Sequence, residues 1–149
     1  MKTFSKLVTN IEKCDVCTHH LPLGPRPVIQ IDPNARILII GQAPGKKVHE
    51  SGIPWDDASG RRLREWMGIH EKDFYDKRKV ALVPMGFCYP GTGKSGDLPP
   101  REECAPLWHQ KILSNLKHVK LKLLLSRYAQ DYYLGSKQKD SLSETVRAW

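Results

Sequence analysis

The sequence lacks the segments that place proteins in membranes or in the secretory pathway. Its longest apolar runs, such as Ile37–Ile40 and Leu123–Leu125, are much shorter than the roughly 20 residues of a membrane-spanning helix. Residues 1–13 contain no apolar stretch resembling a secretory signal. Internal repeats and low-complexity segments are also missing. We therefore expect a cytoplasmic protein without a membrane partner.

The overall composition is typical of a single folded domain. The 149 residues are 40% hydrophobic and 27% charged, which excludes a wholly disordered chain. A chain of this length buries roughly two-thirds of its unfolded surface, which is enough for a real core. We expect residues 1–149 to form one domain, and the protein to be a monomer.

An excess of positive charge is the most informative feature of the composition. Lys and Arg number 24 against 16 Asp and Glu, a formal net charge of +8. A basic protein of this kind suits a polyanionic partner, and nucleic acid is the commonest one. A basic enzyme without such a partner is the alternative that charge alone leaves open.

Predicted strands and helices alternate along the chain. Apolar runs predict strands at 35–40, 79–84 and 119–125. Helical patterns occur at 3–13, 60–68, 101–116, 127–134 and from Ser141 or Ser143 onwards. The first strand is apolar enough to be buried on both faces, which is typical of a parallel sheet. The sequence therefore predicts an α/β domain with a central parallel sheet, whose ligands bind at the carboxyl ends of the strands.

Two long loops rich in glycine and proline, 41–59 and 86–100, follow the first two predicted strands. Both are expected at the same edge of the sheet, and long loops in compact domains are usually functional. Ser59 is the expected N-cap of the next helix. The expected inner face of that helix consists of Leu63, Trp66 and Met67.

The first of these loops carries two motifs. Gly41–Gly45 reads GQAPG, and its glycines permit a tight turn or the close approach of a ligand. Ile53–Gly60 reads IPWDDASG, in which Trp55 is able to stack on a planar base and a carboxylate to position a water. The alternatives are a plain turn for the first motif and, for the second, an aromatic that covers the core beside acids that cap the next helix.

Four cysteines and several basic residues complete the set of candidates. Cys14 and Cys17 form C-x-x-C, and Cys88 and Cys104 form C-x15-C. Four thiolates suit zinc or an iron–sulfur cluster, and four unrelated buried thiols are the alternative. The basic residues near the two motifs, which either contact phosphates or form a solvated face, include Lys46, Lys47 and Arg61.

Together these residues resemble the uracil-DNA glycosylase superfamily, especially its iron–sulfur branch, usually called family 4. That branch has the motif G-E-A-P-G, a later loop R-P-F-V-G-R-A-G, and a [4Fe–4S] cluster held by C-x-x-C and C-x15-C. Here the GQAPG motif, Trp55 in the second motif of the same loop, and all four cysteines follow this pattern. The resemblance implies a three-layer α/β/α fold with a central parallel sheet, a [4Fe–4S] cluster with zinc as the alternative, and DNA as the partner.

The resemblance also implies a mechanism, in which a DNA base leaves the duplex and its N-glycosidic bond is hydrolysed. Trp55 would stack on the flipped base, with Gly41, Gln42 and Ala43 around it, and Gln42 would also be one of the catalytic residues. Backbone amides of Gln42 and Ala43 would face the base carbonyls. Asp56 or Asp57, with Glu50 as a weaker candidate, would position water or stabilise the sugar cation, and the cluster would be structural. Lys46, Lys47 and Arg61 would contact the DNA backbone.

The sequence departs from that family pattern in four places, one of which is Asp56-Asp57 where the family has Val-Gly after the aromatic. Gln42 replaces the motif's Glu, although Gln occupies this place in the G-Q-D-P-Y motif of other members. The segment Val83–Gly86 has no Asn where the family reads uracil. The last strand and its His-Pro-Ser motif would lie beyond Trp149, so we expect a C-terminally incomplete domain. We therefore expect a glycosylase for uracil or another deaminated base. Alternatives are a cluster-containing nucleic-acid-binding protein without excision activity, and a zinc-containing small-molecule enzyme.

Overall fold

The computed structural model describes residues 2–149, which form both helices and strands. Between them lie two short 3-10 turns at Thr18–His20 and Gly135–Lys137. In chain order the elements are α1 (Lys2–Glu12), β1 (Ile37–Ile40), α2 (Lys46–Ser51), α3 (Ala58–Met67), α4 (Glu71–Phe74), β2 (Val80–Leu82), β3 (Thr92–Gly93), β4 (Gly96–Asp97), α5 (Cys104–Leu113), β5 (Leu121–Leu124), α6 (Arg127–Leu134) and α7 (Leu142–Arg147).

Three parallel strands form the central sheet, in the order β2-β1-β5. Ile37 of β1 is in register with Val80 of β2 and with Leu121 of β5. The central position of β1 explains its continuous apolar sequence, because three of its four side chains are buried. The predicted parallel sheet is confirmed, with each strand somewhat shorter than its apolar run.

Helices cover both faces of this sheet. Leu38 and Ile40 of β1 pack in one cluster with Ile11 of α1 and with α5. Ile39, which points to the opposite face, packs with Leu63 of α3 and with α4. Alternation along β1 therefore supplies both halves of the core, and the three-layer α/β/α fold is confirmed. Within residues 2–149, none of the helices has the length and apolar character needed to span a bilayer.

Local details of the loops differ from the sequence-based expectations. The first long loop contains helix α2, and the second contains the two-stranded hairpin β3-β4. Helix α3 begins two residues earlier than expected, because Asp57 and not Ser59 is its N-cap. The prediction that Trp66 lies on the inner face of α3 is wrong, since its side chain is 79% exposed.

Candidate functional site

A cleft of about 340 Å³ opens at the carboxyl edge of the sheet. The chain leaves β1, β2 and β5 at this edge, so the loops that follow these strands form its walls. The lining residues are Val28, Gly41, Gln42, Ala43, Pro44, Gly45, Val48, Pro54, Trp55, Asp57, Ser59, Leu82, Pro84, Asp97, Leu125, Ser126 and Arg127. This size and position suit a small ligand, because parallel α/β sheets bind ligands at this edge.

Trp55 lies against the end of β1 in an unusual backbone conformation. A Cβ atom at Gly41 would come within 2.9 Å of Cζ2 of the Trp55 indole, so the ring rests on the glycine backbone. Trp55 has φ of 59°, and it alone among the described non-glycine residues has a positive φ. A bulky residue in the left-handed region is strained, and such strain concentrates at binding sites and catalytic sites. The sequence motif therefore places its aromatic in the cleft.

Two side chains below Trp55 hold this conformation. Nη1 of Arg64 donates to the Trp55 carbonyl at 3.3 Å and to the Tyr75 hydroxyl at 3.2 Å. The Tyr75 hydroxyl in turn donates to the carbonyl of Pro54 at 2.9 Å. Burial raises the pKa of Tyr75 above its ordinary value, so this donor remains protonated at neutral pH. The Arg64 guanidinium also lies 5.3 Å from the ring centre of Phe74, which ties the Trp55 loop to the core.

The GQAPG loop is anchored to the loop after β2. The carbonyl of Gly41 accepts from the Met85 amide at 2.9 Å, and that of Gln42 accepts from the Gly86 amide at 3.0 Å. Gln42 and Ala43 are half-buried and line the cleft. The structure thus brings the predicted base-binding residues together with Trp55.

The predicted carboxylates separate into two environments. Asp57 lines the cleft, but its Oδ1 accepts the Gly60 amide at 2.8 Å as the N-cap of α3. Asp56 is exposed and is absent from the cleft lining, as is Glu50 on α2. The structure therefore brings Asp57 to the cleft with one oxygen already engaged, and leaves Asp56 outside.

Three polar residues of the cleft were missed by the sequence analysis. Asp97 comes from the hairpin in the second long loop, and Ser126 and Arg127 follow β5. The Ser126 hydroxyl is engaged, since it accepts the Ala129 amide at 3.0 Å as the N-cap of α6. These residues could have been identified only from the general rule that loops after parallel strands lie at one edge of the sheet.

The predicted phosphate contacts lie around the mouth of the cleft. Lys46 and Lys47 are exposed at the start of α2, directly after the cleft residue Gly45. Arg61 is exposed on α3, one turn after the cleft residue Asp57. Arg127, whose Nε lies 4.0 Å from Oδ2 of Asp131, also lines the cleft, and positive charges of this kind favour a polyanionic ligand.

A buried histidine supports the loop after β2. His109 of α5 is 1% exposed, and its Nε2 is 2.9 Å from the carbonyl of the cleft residue Pro84. Its Nδ1 is 2.6 Å from the Tyr133 hydroxyl. Burial lowers the pKa of His109 to about 4. The neutral ring thus donates to Pro84 from Nε2 and accepts from Tyr133 at Nδ1, which links α5, α6 and the cleft wall.

The four cysteines line a second, smaller pocket, away from the cleft. It lies between the end of α1, the loop after β2 and the start of α5, and its lining includes Cys14, Cys17, Cys88 and Cys104. The Phe87 amide donates to Sγ of Cys104 at 3.4 Å. Burial, followed by the nearby thiols, raises the pKa of Cys88 to about 11 and of Cys104 to about 12. Within residues 2–149, no three His, Cys, Asp or Glu side chains lie close enough to hold one metal ion.

Comparison with known protein families gives a match over most of the chain. The model of the uracil DNA glycosylase superfamily matches residues 28–148. The matched range contains the GQAPG loop, Trp55, the hairpin and all three strands of the parallel sheet, and it begins after Cys14 and Cys17. Because this match covers well over half of the sequence, the chain belongs to the uracil DNA glycosylase superfamily.

Proposed function

We propose that this protein is a DNA glycosylase that hydrolyses the N-glycosidic bond of uracil or another deaminated base. The observation that carries the proposal is the indole of Trp55, held against Gly41 in the cleft by a strained backbone. An aromatic fixed in this way offers a stacking surface to a planar base. Membership of the superfamily supports the same class of reaction.

The cleft offers a stacking surface and hydrogen-bond donors for the base that is to be released. The target base must leave the duplex, because its sugar carbon is inaccessible within the stack. Trp55 would stack on the extruded base, and the backbone amides of Gln42 and Ala43 would face its carbonyl oxygens. Donors aimed at the departing base stabilise the negative charge that develops on it as the glycosidic bond breaks.

The charged rim provides the contact with DNA. Lys46, Lys47 and Arg61 are exposed around the cleft, and the chain carries a formal net charge of +8. Phosphate contacts of this kind position the duplex and are independent of base sequence. They would hold the backbone on both sides of the extruded nucleotide.

We further propose that Cys14, Cys17, Cys88 and Cys104 hold a [4Fe–4S] cluster, as in the iron–sulfur branch of the superfamily. The four thiols line one pocket, and their C-x-x-C and C-x15-C spacing follows the pattern of that branch. The cluster, when bound, would cross-link the end of α1, the loop after β2 and the start of α5, and hydrolysis requires no electron from it.

Single-turnover excision on oligonucleotides tests the proposed activity. Wild-type protein should release uracil, or hypoxanthine or xanthine, from a duplex or single strand containing that base. Trp55→Ala should slow release by at least about 100-fold, as expected for losing alignment of the base. Trp66→Ala is the matched control, because Trp66 is exposed on α3 and outside the cleft. Tight DNA binding without release of any of these bases would instead support the alternative of a binding protein.

Metal analysis tests the cluster independently of the activity. Protein purified without oxygen should contain about four iron atoms and matching sulfide per chain, with broad absorbance near about 400 nm. Cys88→Ser should lose most of this iron. Stoichiometric zinc, or protein free of metal after expression with ample iron, would contradict the proposed cluster.

A further inference from the structure

We propose that Asp97 is a catalytic carboxylate of this cleft, which positions the attacking water and stabilises the sugar cation. This inference rests on the proposed glycosylase function. Asp97 ends β4 of the short hairpin in the second long loop, where the sequence analysis identified no catalytic group. It is the residue through which this hairpin reaches the cleft.

The first argument is the position of the carboxylate. Oδ2 of Asp97 lies 3.3 Å from the place that a Cβ atom would occupy at Gly45. Gly45 ends the GQAPG loop, so the carboxylate reaches the same loop whose first residue supports Trp55. A glycine at this position leaves room for the carboxylate beside the backbone. Asp97 and Trp55 therefore face one cavity from two separate loops.

The second argument is that one oxygen of this carboxylate is held and the other is available. Asp97 pairs with Thr92 across the hairpin, and the Thr92 hydroxyl donates to its Oδ1 at 3.1 Å. Because that hydroxyl has one proton, the hydrogen bond between Tyr89 and Thr92 must be donated by the buried Tyr89 hydroxyl. This chain of donors orients the carboxylate and leaves Oδ2 directed to the GQAPG loop.

The third argument is that the other candidates are neutral, lie outside the cleft or are used to cap a helix. Gln42 is neutral, Asp56 lies outside the cleft, and Asp57 caps α3. Among the described residues that line the cleft, only Asp57 and Asp97 carry a negative charge. Since glycosidic cleavage develops positive charge on the sugar, a nearby carboxylate lowers the barrier. Asp97 is the one whose side chain is not used to cap a helix.

The chemistry assigned to Asp97 is that of hydrolysis. The bond between the sugar C1′ and the base nitrogen breaks, and its electron pair leaves with the base. The water oxygen forms a new bond to C1′, and Asp97 accepts the proton that this water loses. The departing base is protonated from solvent or a cleft donor, so the products are the free base and a sugar hydroxyl. No oxidant, reductant or metal is needed.

Excision and binding, measured on the same oligonucleotide, test this assignment. Asp97→Asn should slow single-turnover release of the base by about 100-fold or more, the usual loss for a general base. Its affinity for the DNA should be unchanged or higher, because the substitution removes a negative charge that faces phosphates. Asp140→Asn, an exposed position away from the cleft, is the matched control and should excise normally.

Two further variants distinguish a failure of the Asp97 assignment from a failure of the proposed glycosylase function. Thr92→Val, which removes the orienting donor, should slow release about tenfold and decides the question if Asp97→Asn fails to fold. Undiminished excision by either folded variant, or a large loss in Asp56→Asn instead, would overturn the assignment to Asp97 while leaving the glycosylase function intact. Failure of the wild-type protein to release any deaminated base would overturn both.

Discussion

A single methyl group added at Gly60 tests how firmly the Trp55 loop is fixed. Gly60 lies in the first turn of α3, where replacing glycine by alanine ordinarily stabilises a helix by about 1 kcal/mol. The structure predicts the opposite result. A Cβ atom at Gly60 would lie 1.7 Å from the Trp55 carbonyl oxygen and 2.7 Å from its carbonyl carbon. Both atoms belong to the backbone, so no side-chain rotation relieves the contact.

The size of the effect follows from the movement required. Real Cβ atoms stay at least 3.0 Å from such neighbours, so the carbonyl must retreat from 1.7 Å to beyond that distance. This shift breaks the bond that Arg64 donates to the same carbonyl at 3.3 Å and displaces the indole from Gly41. Overpacking of this kind costs about 1–3 kcal/mol, and the lost hydrogen bond to a charged donor about 1.5–3 kcal/mol. We expect Gly60→Ala to lower the free energy of unfolding by about 3 kcal/mol.

Urea unfolding and single-turnover excision together check this expectation. Ser59→Ala, one residue earlier on the exposed side of α3, is the stability control and should change the free energy of unfolding by less than about 0.5 kcal/mol. Gly60→Ala should also lose excision in conditions where it remains folded, because Trp55 is displaced. An unchanged or increased stability with normal excision would refute the close packing of Trp55 on α3.

Three other predictions use different contacts. Burial lowers the pKa of His109 from an ordinary 6.5 to about 4. Its contribution to the free energy of unfolding is therefore complete above pH 6.5 and is lost as the pH falls towards 4. Urea unfolding should show up to about 3 kcal/mol of this loss, and His109→Asn should remove the pH dependence. Tyr75→Phe should cost about 1 kcal/mol and slow excision, whereas Tyr128→Phe, at an exposed position, should do neither; equal effects would contradict the Tyr75 contact. Lys46→Ala should weaken binding to all DNA sequences and reduce the salt dependence by about one unit; an unchanged salt slope would remove Lys46 from the interface.

The parallel sheet was predictable because its sequence pattern has one physical cause. Ile37–Ile40 is apolar throughout since β1 is central and covered on both faces. Helix α2 was not predictable in the same way. Only Val48 and His49 are buried in its six residues, and its N-cap is Gly45 without a side-chain hydrogen bond. For Trp66 the sequence predicted burial that the structure does not have. Helical spacing identifies which side chains share a face, but it does not show where the core ends along that face.

Some residues of the candidate site were also predictable from the sequence, and others were not. Gly41 and Trp55 both lie between the buried strand β1 and helix α3, so the sequence predicts that both are near the carboxyl edge of the sheet. Asp97 and Arg127 reach that cleft from other loops, and their positions depend on tertiary folding. Asp97 depends on a hairpin with strands of two residues each, too short for any alternating pattern to predict. Its approach to Gly45 therefore emerges only from the three-dimensional structure.

The strained conformation of Trp55 links the stability of the fold to the function of the cleft. A bulky residue in the left-handed region costs about 1–3 kcal/mol, and it persists only where surrounding contacts enforce it. Here the enforcing contacts are Gly60 in α3, Arg64 and Tyr75, all resting on the core face that contains Phe74. The folding energy of that face thus fixes the indole before any base arrives. If the proposed function is correct, a base that enters the cleft would meet a stacking surface already in place, so less of its binding energy would be spent on ordering the protein.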